Sequence, residues 1–118
     1  FRDDRVSARV ITAFQPGEQH DQYLSGVLGT RRAAPARKRA LIARLEAIRR
    51  RGYDEGPSDT INGVVDICFP LFDRFGVIAA LNIVYLKQRD SRVTIPAAKE
   101  RLRHAAQGIS KALGWLGH

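Results

Sequence analysis

The sequence predicts an α+β domain with an antiparallel sheet, because two apolar strand-like segments joined by a tight turn lie between helical segments. The strand-like segments, residues 64–72 and 77–85, are rich in β-branched and aromatic side chains. Residues 73–76 end in a glycine that suits a chain reversal, so the pair predicts a β-hairpin. The 118 residues are enough for one domain with one core.

The first half of the chain is expected to contain one strand and two helices. Residues 5–14 alternate in part between apolar and polar side chains and include several β-branched residues, which favours a strand. Residues 18–28 have apolar side chains at helical spacing and predict a short helix. Residues 36–51 follow Pro35, carry a regular apolar stripe and stop at Gly52, so they predict a longer helix.

The expected register gives the hairpin two different faces. If Gly76 ends a three-residue loop, Asp66 and Cys68 share a face with Asn82 and Val84. The other members of this mixed face are Pro70, Phe72, Ile78 and Ala80. The opposite face is wholly apolar. Because a carboxylate and an amide are costly to bury without partners, the mixed face is a candidate ligand site. A structural hydrogen bond between Asp66 and Asn82 explains the pair equally well.

The segments that flank the hairpin complete the predicted architecture. Residues 53–62 are rich in turn formers and predict a loop or an edge strand. Thr94 can cap a last helix that begins near Pro96 and ends at Gly114, with Trp115 packing back. A continuous apolar stripe makes this helix the expected cover of the apolar face of the hairpin.

Composition favours a soluble cytoplasmic chain that extends beyond this sequence. The formal charge is +8, which suits anionic partners, but a solvated helix face explains the basic run 37–51 better than nucleic acid does. The single cysteine cannot form an intrachain disulfide, which fits a reducing compartment. No apolar segment approaches the ~20 residues that span a membrane. Since the sequence has no methionine, we expect translation to begin upstream of Phe1.

Signatures of catalysis or of bound metal are weak in this sequence. The three histidines, His20, His104 and His118, lack metal-ligand spacing, and no phosphate-binding glycine loop or nucleophile elbow is present. Cys68 and His20 could form a nucleophile pair. A thiol within an apolar strand is more commonly an inert core residue, so we expect no catalytic residue, metal or cofactor.

Three segments carry a family resemblance. They are an arginine-rich helix end followed by Gly52 and Tyr53, a hairpin with the pattern Pro-x-Phe-Asp-x-x-Gly at residues 70–76, and a closing helix that ends in Leu113-Gly114. A weaker match covers residues 20–28. Together they resemble the C-terminal effector-binding domain of IclR-family bacterial transcriptional regulators.

The resemblance implies a GAF-like α+β sensor domain over residues 1–118, joined to an N-terminal winged helix-turn-helix domain that lies outside this sequence. A small organic metabolite would bind against the sheet and change how dimers or tetramers hold DNA. The chain itself would be neither an enzyme nor a membrane protein.

The resemblance also implies which positions bind the effector. These positions are Gly56, Asp66, Asn82, Val84, Tyr23 and Leu24, and Cys68 on the mixed face adds a further wall. A carboxylate at position 66 repels an acidic effector unless it is protonated or a nearby arginine compensates. The ligand is therefore expected to carry hydroxyl or amino donors.

Three other functions compete with this hypothesis. A GAF-like sensor could serve a different output domain, and a basic module could bind nucleic acid through residues 37–51. A small hydrolase could use Cys68 as its nucleophile.

Overall fold

The computed structural model describes residues 6–28, 35–58, 61–88 and 92–117, and of residues 23–28 and 35 it describes only the backbone. The elements in chain order are α1 (Val6–Ala13), α2 (Gly17–Leu28), α3 (Pro35–Arg51), β1 (Asp54–Pro57), β2 (Val64–Asp73), β3 (Gly76–Leu86) and α4 (Ile95–Ala112). Within these residues the strands form one antiparallel sheet in the order β1-β2-β3. The predicted α+β class is confirmed.

The first element is a helix, so the prediction of a strand at residues 5–14 is wrong. Arg5 lies outside the described residues, and Val6–Ala13 forms α1. Val10 and Ala13, three positions apart, are both buried against α3 and β2. Helical spacing buries a continuous apolar stripe of α1, whereas the apolar and polar side chains of this segment alternate at only a few positions. The predicted helices at α2 and α3 are confirmed, and β1 confirms the edge-strand alternative for residues 53–62.

The hairpin has the predicted faces but a shorter turn. Asp66 lies opposite Val84, and Cys68 lies opposite Asn82. The turn contains two residues instead of three, because Asp73 pairs with Gly76. Asp73 Oδ1 accepts hydrogen bonds from the backbone amides of Phe75 and Gly76 at 2.7 and 3.1 Å. A β-bulge, in which Ile78 of β3 lies between the pairs Leu71–Ala79 and Phe72–Val77, restores the predicted pairing beyond the turn.

Helices pack on both faces of the sheet. On the apolar face, α4 buries Ala98, Leu102 and Ala106 against the β2 residues Val65, Ile67 and Phe69. On the mixed face, α1 and α3 enclose the side chain of Cys68. The expected cover by the last helix is therefore confirmed. None of the described helices is both long enough and apolar enough to cross a lipid bilayer.

The ends of α4 follow the predicted signals. Thr94 Oγ1 accepts a hydrogen bond from the Ala97 amide at 3.2 Å. Gly114 has a φ of +100°, a conformation that terminates helices and favours glycine. Trp115 then stacks on Phe72, with ring centroids 5.3 Å apart. The helix is thereby fixed at both ends.

We expect Leu102→Ala to lower the free energy of unfolding by about 2–5 kcal/mol, because it leaves a cavity between α4 and the sheet. Urea denaturation followed by circular dichroism measures the loss. Leu113→Ala, just beyond the end of the same helix at 45% exposure, is the matched control and should cost about 1 kcal/mol or less. Equal losses in the two variants would contradict the packing described here.

Candidate ligand-binding site

A buried carboxylate ties the mixed face of the sheet to its helices. Asp54 is the first residue of β1 and is 0% exposed. Arg9 of α1 donates to its Oδ2 at 3.2 Å, and Arg44 and Arg51 of α3 donate to its Oδ1 at 3.0 and 2.8 Å. These charge-assisted hydrogen bonds compensate for the loss of hydration of the buried charge.

A polar cavity of about 170 Å³ lies next to this cluster, between β1, β2, α1 and α3. Its lining residues are Val6, Arg9, Arg44, Gly56, Pro57 and Asp66. Gly56 and Asp66 are direct partners in the β1–β2 ladder, one pair beyond Glu55 and Ile67. A Cβ atom at position 56 would lie 3.2 Å from Arg44 Nη2, so glycine lets the guanidinium approach the strand closely.

The charges around the polar cavity favour an anionic ligand. Arg9 and Arg44 bind Asp54 and also line the cavity. Arg51 adds a third guanidinium group to the Asp54 cluster. A ligand carboxylate could pair with Arg9 and Arg44, and Asp66 could accept a hydrogen bond from a ligand hydroxyl.

The predicted site residues are only partly brought together. Gly56 and Asp66 line the polar cavity, whereas Asn82 and Val84 lie on the exposed part of β3, with Val84 59% exposed. Asn82 lies diagonal to Asp66, because Asp66 pairs directly with Val84. Their part in ligand binding stays a prediction.

Tyr23 and Leu24 lie in α2, and their side chains are outside the described part of the structure. Helix α1 packs on the mixed face and contacts both β2 and β3. The helical wall of the polar cavity is therefore formed by Val6 and Arg9 of α1, with Arg44 of α3.

Cys68 belongs to the core. It is 0% exposed and packs among Val10, Leu45 and Ile48. Burial, together with the nearby carboxylates of Asp54 and Asp66, raises the pKa of the Cys68 thiol to about 12. A thiol that stays protonated is a poor nucleophile, which disfavours the hydrolase alternative.

In the described part of the chain, His20 contacts the backbone of α1 rather than Cys68. His20 Nδ1 lies 3.2 Å from the backbone carbonyl of Thr12, and His118 lies outside the described residues. In the part of the chain that the structure describes, no three His, Cys, Asp or Glu side chains are grouped to bind a metal ion.

Sequence reasoning missed Arg9 and Arg44. The prediction of a strand over residues 5–14 gives Arg9 no role. The interpretation of residues 37–51 as a solvated basic run includes Arg44 and Arg51, yet both donate to Asp54. The available signal was Asp54 itself, an acidic residue that directly follows the basic helix end and Gly52-Tyr53.

The fold and the polar cavity define a small α+β domain, with helices on both faces of an antiparallel sheet and a charged cavity against one of them. The chain matches the family model "Bacterial transcriptional regulator IclR C-terminal" over residues 6–111, and it belongs to this family. The predicted family is thereby confirmed.

Known relatives are regulators and not enzymes, as predicted. The chain is 32% identical over 111 residues to the HTH-type transcriptional regulator KdgR of Escherichia coli K12, covering 91% of this chain and 42% of that protein. The chain thus spans less than half the length of this relative.

Two solved structures are similar in fold and sequence. The C-terminal domain of E. coli KdgR has a TM-score of 0.71 and 30% identity, over 93% of this chain and 69% of that one. An IclR homolog from Microbacterium hydrocarbonoxydans complexed with 4-hydroxybenzoate has a TM-score of 0.71 and 28% identity, over 92% of this chain and 44% of that one.

We expect Asp54→Asn to lower the free energy of unfolding by about 3–5 kcal/mol, because three guanidinium groups lose the charge that pairs with them. Urea denaturation measures the change. Glu46→Gln removes the same charge from the exposed surface of α3 and should change stability by about 0.5 kcal/mol or less. A loss in Asp54→Asn no greater than that of the control would show that the cluster does not stabilise the fold.

We expect native Cys68 to resist alkylation by iodoacetamide at pH 8. With a pKa of about 12, only about one thiol in ten thousand is ionised at this pH, and the side chain is buried. Mass spectrometry should find labelling only after denaturation. Native labelling at the rate of a free cysteine would revive the nucleophile hypothesis.

Proposed function

We propose that this chain is the effector-sensing domain of a bacterial transcriptional regulator and that a small organic acid binds in the polar cavity. One observation carries the proposal. Gly56 and Asp66, paired across two strands, line a cavity together with the guanidinium groups of Arg9 and Arg44. Gly56 and Asp66, two of the positions that the resemblance implies, therefore line the same cavity as two arginines that could pair with an acidic ligand.

The polar cavity suits a small acid that also carries a hydroxyl group. The ligand carboxylate would pair with Arg9 and Arg44, and its hydroxyl would donate to Asp66. The volume of about 170 Å³ is below the roughly 300–1,000 Å³ of sites for drug-sized molecules. The similar homolog that was solved with 4-hydroxybenzoate holds a ligand of this chemistry.

The effect of ligand binding on DNA binding would depend on parts of the regulator that lie beyond this sequence. We propose that DNA is bound by a winged helix-turn-helix domain and that the protein acts in the cytoplasm as a homodimer or tetramer. Effector binding would change the relative stability of two arrangements of the subunits. Arg9 on α1 and Arg44 on α3 make these two helices the elements that respond first.

The first experiment is a thermal-shift screen of this chain against hydroxy acids, sugar acids and aromatic acids, each beside its neutral amide. A ligand at about 100 times its Kd stabilises the folded state by about 2.7 kcal/mol, which raises the Tm of a domain of this size by several degrees. We expect acids to raise the Tm and the matched amides to leave it unchanged. Equal shifts with acids and amides would contradict the role given to the arginines.

We expect Asp66→Ala to weaken binding of a hydroxy acid about tenfold or more, because a hydrogen bond to a charged acceptor contributes about 1.5–3 kcal/mol. Calorimetric titration measures the Kd. Binding of the same acid without its hydroxyl should not weaken, since only the hydroxyl contacts Asp66. Glu46→Ala removes an equal charge from exposed α3 and serves as the control. An unchanged Kd in Asp66→Ala would remove this residue from the site.

A further inference from the structure

The sheet contains a gap beside the first residue of β1, Asp54, which pairs with Cys68. Strand β1 pairs with residues 65–68 of β2, so in the described residues the following stretch of β2, from Phe69 onward, has a strand neighbour only on the β3 side. Pro70 has no backbone N–H to extend the ladder. The Phe72 amide donates instead to Ser110 Oγ of α4 at 2.9 Å. A side chain of α4 thus provides the hydrogen-bond acceptor that a neighbouring strand would otherwise provide to the Phe72 amide.

An aromatic cavity of about 230 Å³ occupies this gap. Phe14, Phe69, Phe72 and Trp115 form its apolar walls. Phe72 is stacked on Trp115, with centroids 5.3 Å apart and an interplanar angle of 18°, and it meets Phe14 edge to face at 5.3 Å and 89°. Flat walls at these angles favour a flat apolar ligand over a branched one.

The polar part of the aromatic cavity is cationic. Among its described lining residues, Arg103 is the one charged side chain. Its guanidinium lies 5.1 Å from the centroid of the Phe69 ring and 5.6 Å from that of the Tyr53 ring, so the aromatic faces hold it in place. Its ion pair with Glu100 is long, at 3.4 Å, and the Glu100 side chain is 74% exposed. Such a pair is weak and leaves Arg103 able to bind another anion.

We propose that the aromatic cavity is a second ligand site, which binds a carboxylate carried on a single aromatic ring. The ring lies among Phe69, Phe72 and Trp115, and the carboxylate pairs with Arg103. Unlike the polar cavity, the site has no acidic side chain among its described lining residues, so it accepts an acid without a compensating hydroxyl. The described residues that line the two cavities do not overlap.

Trp115 provides a direct signal for this site, because it is the single tryptophan of the chain. Benzoate is the probe, with excitation at a wavelength that tryptophan absorbs and benzoate does not. We expect a saturable change in fluorescence in the millimolar range of benzoate and a weaker response to benzamide, which has the ring without the charge. The absence of a saturable response, whether the signal is unchanged or falls without saturating, would overturn the proposal.

Variants separate this site from the polar cavity. Arg103→Gln should raise the Kd of benzoate about tenfold, Arg103→Lys less, and Glu100→Gln should leave it unchanged or lower it. Asp66→Ala should leave the Trp115 response intact, so failure of the polar-cavity proposal does not affect this test. An Arg103→Gln variant that binds benzoate as tightly as the unmodified chain would overturn the proposal.

Chemical shifts of the unmodified chain provide a test that needs no variant. Titration with benzoate, followed in nitrogen–proton correlation spectra, should move the amide signals of Phe69 and Gln107 and the indole signal of Trp115. Shifts confined to Gly56 and Asp66 would assign benzoate to the polar cavity and refute the second site.

Discussion

The arrangement of this domain depends on one buried carboxylate. Asp54 stands at the start of β1 without exposure to solvent, and its guanidinium partners come from α1 and α3. Removing a charge from water is costly unless its partners are well placed, so both helices must stay within hydrogen-bond distance of the strand. The same contacts turn Arg9 and Arg44 toward the mixed face. A structural ion cluster thus also builds the cationic wall of the polar cavity.

The two faces of the sheet differ in the kinds of side chain that they carry. The apolar face, covered by α4, buries Val65, Ile67 and Phe69. The mixed face tolerates Asp66 because part of it opens onto a cavity and because arginines stand nearby. A ligand there would add contacts to α1, α3, β1 and β2 at once. Binding can therefore change the positions of helices without disturbing the apolar core.

Helix α1 lies at both proposed sites. Arg9 lines the polar cavity, and Phe14, directly after the helix, lines the aromatic one. The two residues are five positions apart, and the buried residues Val10 and Ala13 between them fix the helix on the sheet. A small rotation of α1 would change both cavities together. Binding of a ligand in one cavity could therefore change the affinity of the other cavity for its ligand. The size of this effect would depend on how far α1 moves.

The sequence by itself determined the hairpin, its two faces and the helices that begin at Pro35 and near Pro96, because turn residues and periodic apolar positions act over a few neighbours. It also placed Gly56 and Asp66 in one site through the family resemblance. It did not determine that residues 6–13 are helical, since the few alternating positions are outweighed by packing against α3 and β2. Only the tertiary structure decided the partners of Asp54 and the composition of both cavities. Arg9 and Asp54 are 45 residues apart, and no local pattern relates two residues at that separation.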